Sequence, residues 1–62
     1  MRLGKLRREK GLTQTFIASK LGVKQNTVAQ WESGKRNPPA AKLPELARLL
    51  GCTVDELFEK GA

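Results

Sequence analysis

The chain has 62 residues, 39% of them hydrophobic, with three aromatics (Phe16, Trp31, Phe58), no histidine, one cysteine, and 12 Lys and Arg against 6 Asp and Glu for a net charge of +6. A chain this short holds one domain, residues 1–62, around one small core, with no room for a deep active-site cavity. Cys52 has no partner for an internal disulfide, no Cys/His set for zinc exists, and no apolar run reaches the roughly 18–20 residues that span a bilayer, so the expectation is a cytoplasmic protein without metal or cofactor, held by packing alone.

Leu3 and Leu6 mark the apolar stripe of a first short helix from about Arg2 to Lys10, ended by Gly11 as a left-handed cap. Thr13 is a good N-cap for a second helix whose apolar positions are Ile17, Ala18 and Leu21. Gly22 stops it. Only Gly22, Val23 and Lys24 separate it from a third helix, about residues 25–33, in which Val28 and Trp31 are again three apart, so two short helices meet at a sharp turn. Trp31 shares the buried face with Val28 and is read as core. After Gly34 comes a basic loop, Lys35-Arg36-Asn37-Pro38-Pro39, which cannot propagate a helix because proline lacks an amide donor and restricts its predecessor.

Leu43, Leu46, Ala47 and Leu50 give the clearest amphipathic pattern and predict a fourth helix from about Ala41 to Leu50, with Pro44 tolerable only near its first turn. Thr53 and Glu56 fit a capping box that opens a fifth helix running to about Glu59, with Val54, Leu57 and Phe58 facing inward. No stretch alternates long enough for a strand, so the fold class is all-α: five short helices around one core.

Charge is unevenly distributed. Residues 1–44 hold ten basic and two acidic residues, +8, whereas residues 45–62 hold two basic and four acidic, −2, a polarity that suits a polyanion on one side of the molecule. With no His or Tyr and one Cys, the usual acid, base and nucleophile sets are missing, so an enzyme is not expected. Cys52 precedes a helix cap without a His or acid partner and reads as a small apolar residue.

The succession Leu12-Thr13-Gln14, Ile17-Ala18, Leu21-Gly22-Val23, Thr27-Val28 and Trp31-Glu32-Ser33-Gly34-Lys35-Arg36-Asn37-Pro38 resembles the lambda-repressor/Cro-like (XRE-type) helix-turn-helix family. Leu46-Ala47, Leu49-Leu50-Gly51 and Thr53-Val54-Asp55-Glu56-Leu57 are similar to that family's fourth and fifth helices, so nearly the whole chain is covered. The resemblance implies that helices two and three form the helix-turn-helix and that the third lies in the major groove of double-stranded DNA. There the third helix offers Gln25, Asn26, Thr27 and Gln30 as base-reading candidates, because amide and hydroxyl side chains match the donor and acceptor patterns of base edges.

The resemblance also implies phosphate contacts for Gln14, Lys35, Arg36 and Asn37, with Gln14 bracing the reading helix, and a structural ion pair between Arg7 and Glu32. Two residues depart from the pattern. Lys24 stands where Ser or Thr commonly caps the third helix and is added to the phosphate-binding candidates; Phe16 replaces a usual polar residue and is expected to touch a partner or the first helix. The leading expectation is a sequence-specific transcriptional regulator that binds DNA as a homodimer on two half-sites and acts on a nearby promoter as a repressor or an activator. The alternative is a protein-interaction module, such as an antitoxin or anti-repressor, acting on a protein partner through Phe16 and the acidic fifth helix.

Overall fold

In the computed structural model, which describes residues 1–58, five helices follow in chain order: α1 (Leu3–Glu9), α2 (Gln14–Leu21), α3 (Gln25–Ser33), α4 (Leu43–Leu50) and α5 (Val54–Phe58). No strand occurs among the described residues. The expected end of the fifth helix at Glu59 lies outside them. The fourth helix differs from the expectation that it begins near Ala41. Residues Ala40–Lys42 form a separate 3-10 turn and α4 starts at Leu43, because Pro44 has no amide to donate and fits only in the first turn.

Two of the helices, α2 and α5, open on side-chain caps. Thr13 Oγ1 accepts the Phe16 amide at 3.0 Å, and Thr53 and Glu56 exchange two hydrogen bonds, the Thr53 amide donating at 2.9 Å and the Glu56 amide at 3.1 Å. Gly22 sits at φ +70°, a conformation strained for any residue with a Cβ, and both its amide and that of Val23 return to the Ala18 carbonyl. The chain then passes through an extended Lys24 into α3. Lys24 gives that helix no side-chain cap.

The core takes at least one side chain from every helix: Leu3, Ile17, Val28, Leu46, Leu50 and Leu57 are fully buried, with Trp31, Ala18, Leu21 and Ala47 beside them. No polar or charged residue is buried among the described residues. Phe58 departs from the expected inward set and is 46% exposed. In a helix of one and a half turns, Leu57 points straight into the core, and Phe58 is rotated from it by about 100°. Phe16 is likewise exposed, with the Lys20 ammonium 5.5 Å from its ring centre. Cys52 is half-buried, and burial with the nearby Glu56 charge pushes its thiol up.

Polar ties fix the helices relative to one another. The Arg7 guanidinium of α1 donates to Glu32 of α3 through Nε at 2.6 Å and Nη2 at 3.2 Å, and its Nη1 reaches the Leu12 carbonyl at 2.8 Å. The Lys42 ammonium donates to the Leu21 carbonyl at 2.9 Å, which pins the segment after the basic loop to the C-terminus of α2. The Arg2 amide donates to the Leu57 carbonyl at 2.7 Å and ties the start of the chain to α5.

Replacing Lys24 with Ser supplies the missing cap and raises stability by about 1 kcal/mol, read as a Tm increase of several degrees in a domain of this size. Burial opposes ionisation of Glu32, but the hydrogen bonds from Arg7 and Gln14 and the Arg7 charge outweigh it and hold the carboxyl below its ordinary value of 4.5. A carboxyl depressed on folding contributes stability that is fully present above the unfolded-state value and is lost as pH falls through the folded-state value. Thermal unfolding from pH 7 downward therefore shows a loss below about 4.5 that is steeper for the wild type than for Glu32→Gln, which starts less stable at neutral pH.

Candidate nucleic-acid interface

The α3 helix divides into faces by its own periodicity. Val28 and Trp31 turn into the core, so the opposite face, at spacings of three and four, is Asn26, Ala29, Gln30 and Ser33. These four residues and Lys35 line a shallow, open concavity, wide at the mouth and with no enclosed volume suited to a small substrate. Asn26 and Lys35 are exposed; Gln30 is half-buried, and its carbonyl accepts the Arg36 amide at 3.2 Å and the Ser33 hydroxyl at 3.1 Å. The start of the basic loop is thereby fastened to the base of the helix face. Pro38 is buried, which anchors the loop at its far end and leaves Lys35, Arg36 and Asn37 exposed between two fixed points.

Gln25 and Glu32, seven residues apart, lie on one flank of α3, facing the start of α2. Gln14 stands between them. Its Nε2 donates to Glu32 Oε1 at 3.0 Å, and its Oε1 accepts a hydrogen bond from Gln25 Nε2. Arg7, Glu32, Gln14 and Gln25 thus form one connected set spanning α1, α2 and α3. Thr27 falls on the other flank, half-buried and outside the concavity. Lys24 is exposed at the head of α3, where its carbonyl takes the amides of Thr27 at 2.9 Å and Val28 at 3.3 Å; the amides that open a helix, here those of Gln25 and Asn26, have no intrahelical acceptor.

Seven of the nine expected site residues therefore fall into three groups, Gln25 joined to Gln14, Asn26 and Gln30 with Lys35 around the concavity, and Arg36 with Asn37 in the loop beyond; Lys24 at the head of α3 and Thr27 on its far flank stand apart from them. Sequence reasoning missed two contributors. Lys42, in the sequence one of the ten basic residues among the first 44, holds the segment behind the loop; Ser33 completes the exposed face of α3. Ser33 could have been found by continuing the face from Asn26 by seven residues. The Lys42 contact, across 21 positions, carries no local signal.

A family model described as helix-turn-helix matches residues 3–57. The chain is 45% identical over 53 residues to the HTH-type transcriptional regulator y4dJ of Sinorhizobium fredii, covering 86% of this chain and 69% of that protein. It is 41% identical to the HTH-type transcriptional regulator AnsR of Bacillus subtilis and 38% identical to the HTH-type transcriptional activator BcrR of Enterococcus faecalis, each over 57 residues. These matches cover 92% of this chain but only 49% of AnsR and 28% of BcrR. No solved structure is a significant match. A sharp turn at Gly22, an amide-bearing helix face beside a basic loop and a family match over nearly its whole length together establish that the chain belongs to the XRE-type helix-turn-helix family of DNA-binding transcriptional regulators.

Proposed function

We propose that this chain binds double-stranded DNA sequence-specifically with α3 in the major groove, where Gln25, Asn26 and Gln30, with Thr27 at the flank, read base edges. The observation that carries this reading is the exposed polar face of α3 set directly opposite its buried Val28 and Trp31 and continuous with Lys35. A major groove admits one helix, and amide side chains can bond adenine through N6 and N7. Lys24, Lys35 and Arg36, with Gln14 and Asn37, take the phosphates, which fix register and make affinity depend on salt without choosing sequence.

Two copies bind half-sites about one helical turn, roughly 34–36 Å, apart. Bound at a promoter, the domain represses by exclusion; its relative BcrR is named an activator, and a promoter-reporter assay decides the direction. The domain acts in the cytoplasm and catalyses no reaction. Among the described residues no helix is long and apolar enough to cross a membrane. Each of the three relatives above is named a transcriptional regulator or activator, which favours DNA over a protein partner as the ligand.

Duplexes selected from a random pool test the proposal. A selected site binds far more tightly than scrambled DNA at the same salt; equal affinity for the two overturns sequence-specific reading. Gln25→Ala or Gln30→Ala loses about 1–3 kcal/mol of discrimination at one base pair each, seen as a relaxed preference in the selected pool. Lys35→Ala or Arg36→Ala weakens binding to all duplexes alike and lowers the slope of log affinity against log salt by about 1, measured by titration at several salt concentrations.

A further inference from the structure

The hydrogen-bonded set at the head of α3 has a direction, and its direction is imposed from one end. An ionised carboxylate only accepts hydrogen bonds. Glu32 takes N–H groups from Arg7 (Nε at 2.6 Å, Nη2 at 3.2 Å) and from Gln14 Nε2 at 3.0 Å, with both side chains of the ion pair largely shielded from solvent. Gln14 must turn its NH2 group toward Glu32, so its Oε1 faces the other way and accepts from Gln25 Nε2. Gln25 in turn commits one N–H to Gln14. Its second N–H and its Oε1 remain for whatever approaches the exposed end of α3. A carboxamide reversed end for end occupies nearly the same space, so shape alone does not choose between the two orientations of either glutamine.

The geometry points to Glu32 as a positioning residue for base specificity: its carboxylate sets the order of the Gln14 and Gln25 amides, so that Gln25 presents an acceptor beside a donor and selects adenine over guanine. The inference rests on the reading that α3 enters the major groove. Adenine offers a donor at N6 and an acceptor at N7, which match Oε1 and the free N–H of Gln25; guanine offers acceptors at both O6 and N7, which sets Oε1 against O6.

Glu32→Gln converts the end of the chain into an amide. Its oxygen keeps the shorter of the two Arg7 bonds, from Nε, and its NH2 group takes the place of Oε1, giving up the 3.2 Å bond from Arg7 Nη2, and faces Gln14. Gln14 reverses to accept from it and donates to Gln25, and Gln25 reverses to accept from Gln14. Both N–H groups of Gln25 now point outward, the pattern that pairs with O6 and N7 of guanine.

The test selects duplexes with the full chain and with Gln25→Ala, Glu32→Gln and Gln14→Met, at one salt concentration, with thermal unfolding to verify that each variant is folded. The base pair whose preference disappears in Gln25→Ala is the one that Gln25 reads. At that base pair the wild type favours adenine over guanine by about tenfold or more, as a good bidentate pair does. Glu32→Gln shifts the ratio by about tenfold toward guanine, while preferences at the other base pairs hold. Gln14→Met keeps the Arg7–Glu32 ion pair but frees the Gln25 amide, and it brings the ratio close to one.

A folded Glu32→Gln that keeps the wild-type ratio overturns the proposal. If Glu32→Gln does not fold, an unchanged ratio in Gln14→Met does the same. A Gln25→Ala variant that keeps every base preference shows that Gln25 is no reader, and the role of Glu32 in specificity falls with it. A wild type that binds selected and scrambled DNA equally is the separate failure of the DNA-reading function itself.

Discussion

The carboxylate of Glu32 is where three helices meet. It projects from α3 and accepts from Arg7 of α1 and Gln14 of α2, while Arg7 goes on to the Leu12 carbonyl in the loop between those two helices. A helix that must keep one face free for a ligand can bury only a narrow stripe, here Val28 and Trp31. Two buried side chains fix the distance of such a helix from the core better than its rotation about its own axis. Charge-assisted bonds on its flank supply the missing constraint, because they are directional and strong in a partly shielded site. Desolvation offsets much of the attraction in such a pair, so its value lies in orientation as much as in stability, and removal of one partner alone leaves an uncompensated charge.

Around that joint the chain achieves a folded state with little material. A domain of this size is stabilised by about 3–9 kcal/mol in total, so single caps and ties are sizeable fractions of the whole. Thr13, the Thr53–Glu56 box, the left-handed Gly22 and the Lys42 ammonium at the end of α2 each satisfy backbone groups that the short helices cannot satisfy themselves. No side-chain cap opens α1, α3 or α4. At the head of α3 stands Lys24, and under the proposed function its charge meets a phosphate where a capping hydroxyl would add stability.

Under the proposed function, the two kinds of contact with DNA have different supports. The amides proposed to read bases stand on α3, with Gln25 held by Gln14; Lys35 and Arg36, proposed to meet phosphates, stand on the loop of residues 35–37. That loop is held at both ends, by the Arg36 amide on the Gln30 carbonyl and by the buried Pro38. Its side chains are free to follow the backbone of the duplex while its path stays fixed.

Helix number, helix type, the caps and the turn at Gly22 were legible in the sequence, because each is decided within a few residues: a threonine before an apolar stripe, a glycine after it, a proline that cannot continue it. Trp31 was legible as core from its spacing to Val28 alone. Where a local pattern was too short, the sequence misled: Phe58 follows Leu57 in a helix with room for little more than one inward position, and only the packed structure shows which of the two it is. The sequence pattern places the start of α4 two residues early, because a proline limits how early a helix can begin without fixing the geometry of the residues just before it.

The sequence by itself thus determined the elements and the candidate reading face, since periodicity and capping are local physics. The family resemblance implied the Arg7–Glu32 pair, but only the tertiary structure decided that it continues through Gln14 to Gln25 as one directed chain and that Lys42 closes on Leu21, for those bonds join positions 11 to 25 residues apart. A residue's neighbours along the chain carry its propensity; its hydrogen-bond partners across the fold, and so the pattern it shows to a ligand, exist only once the helices have been brought together.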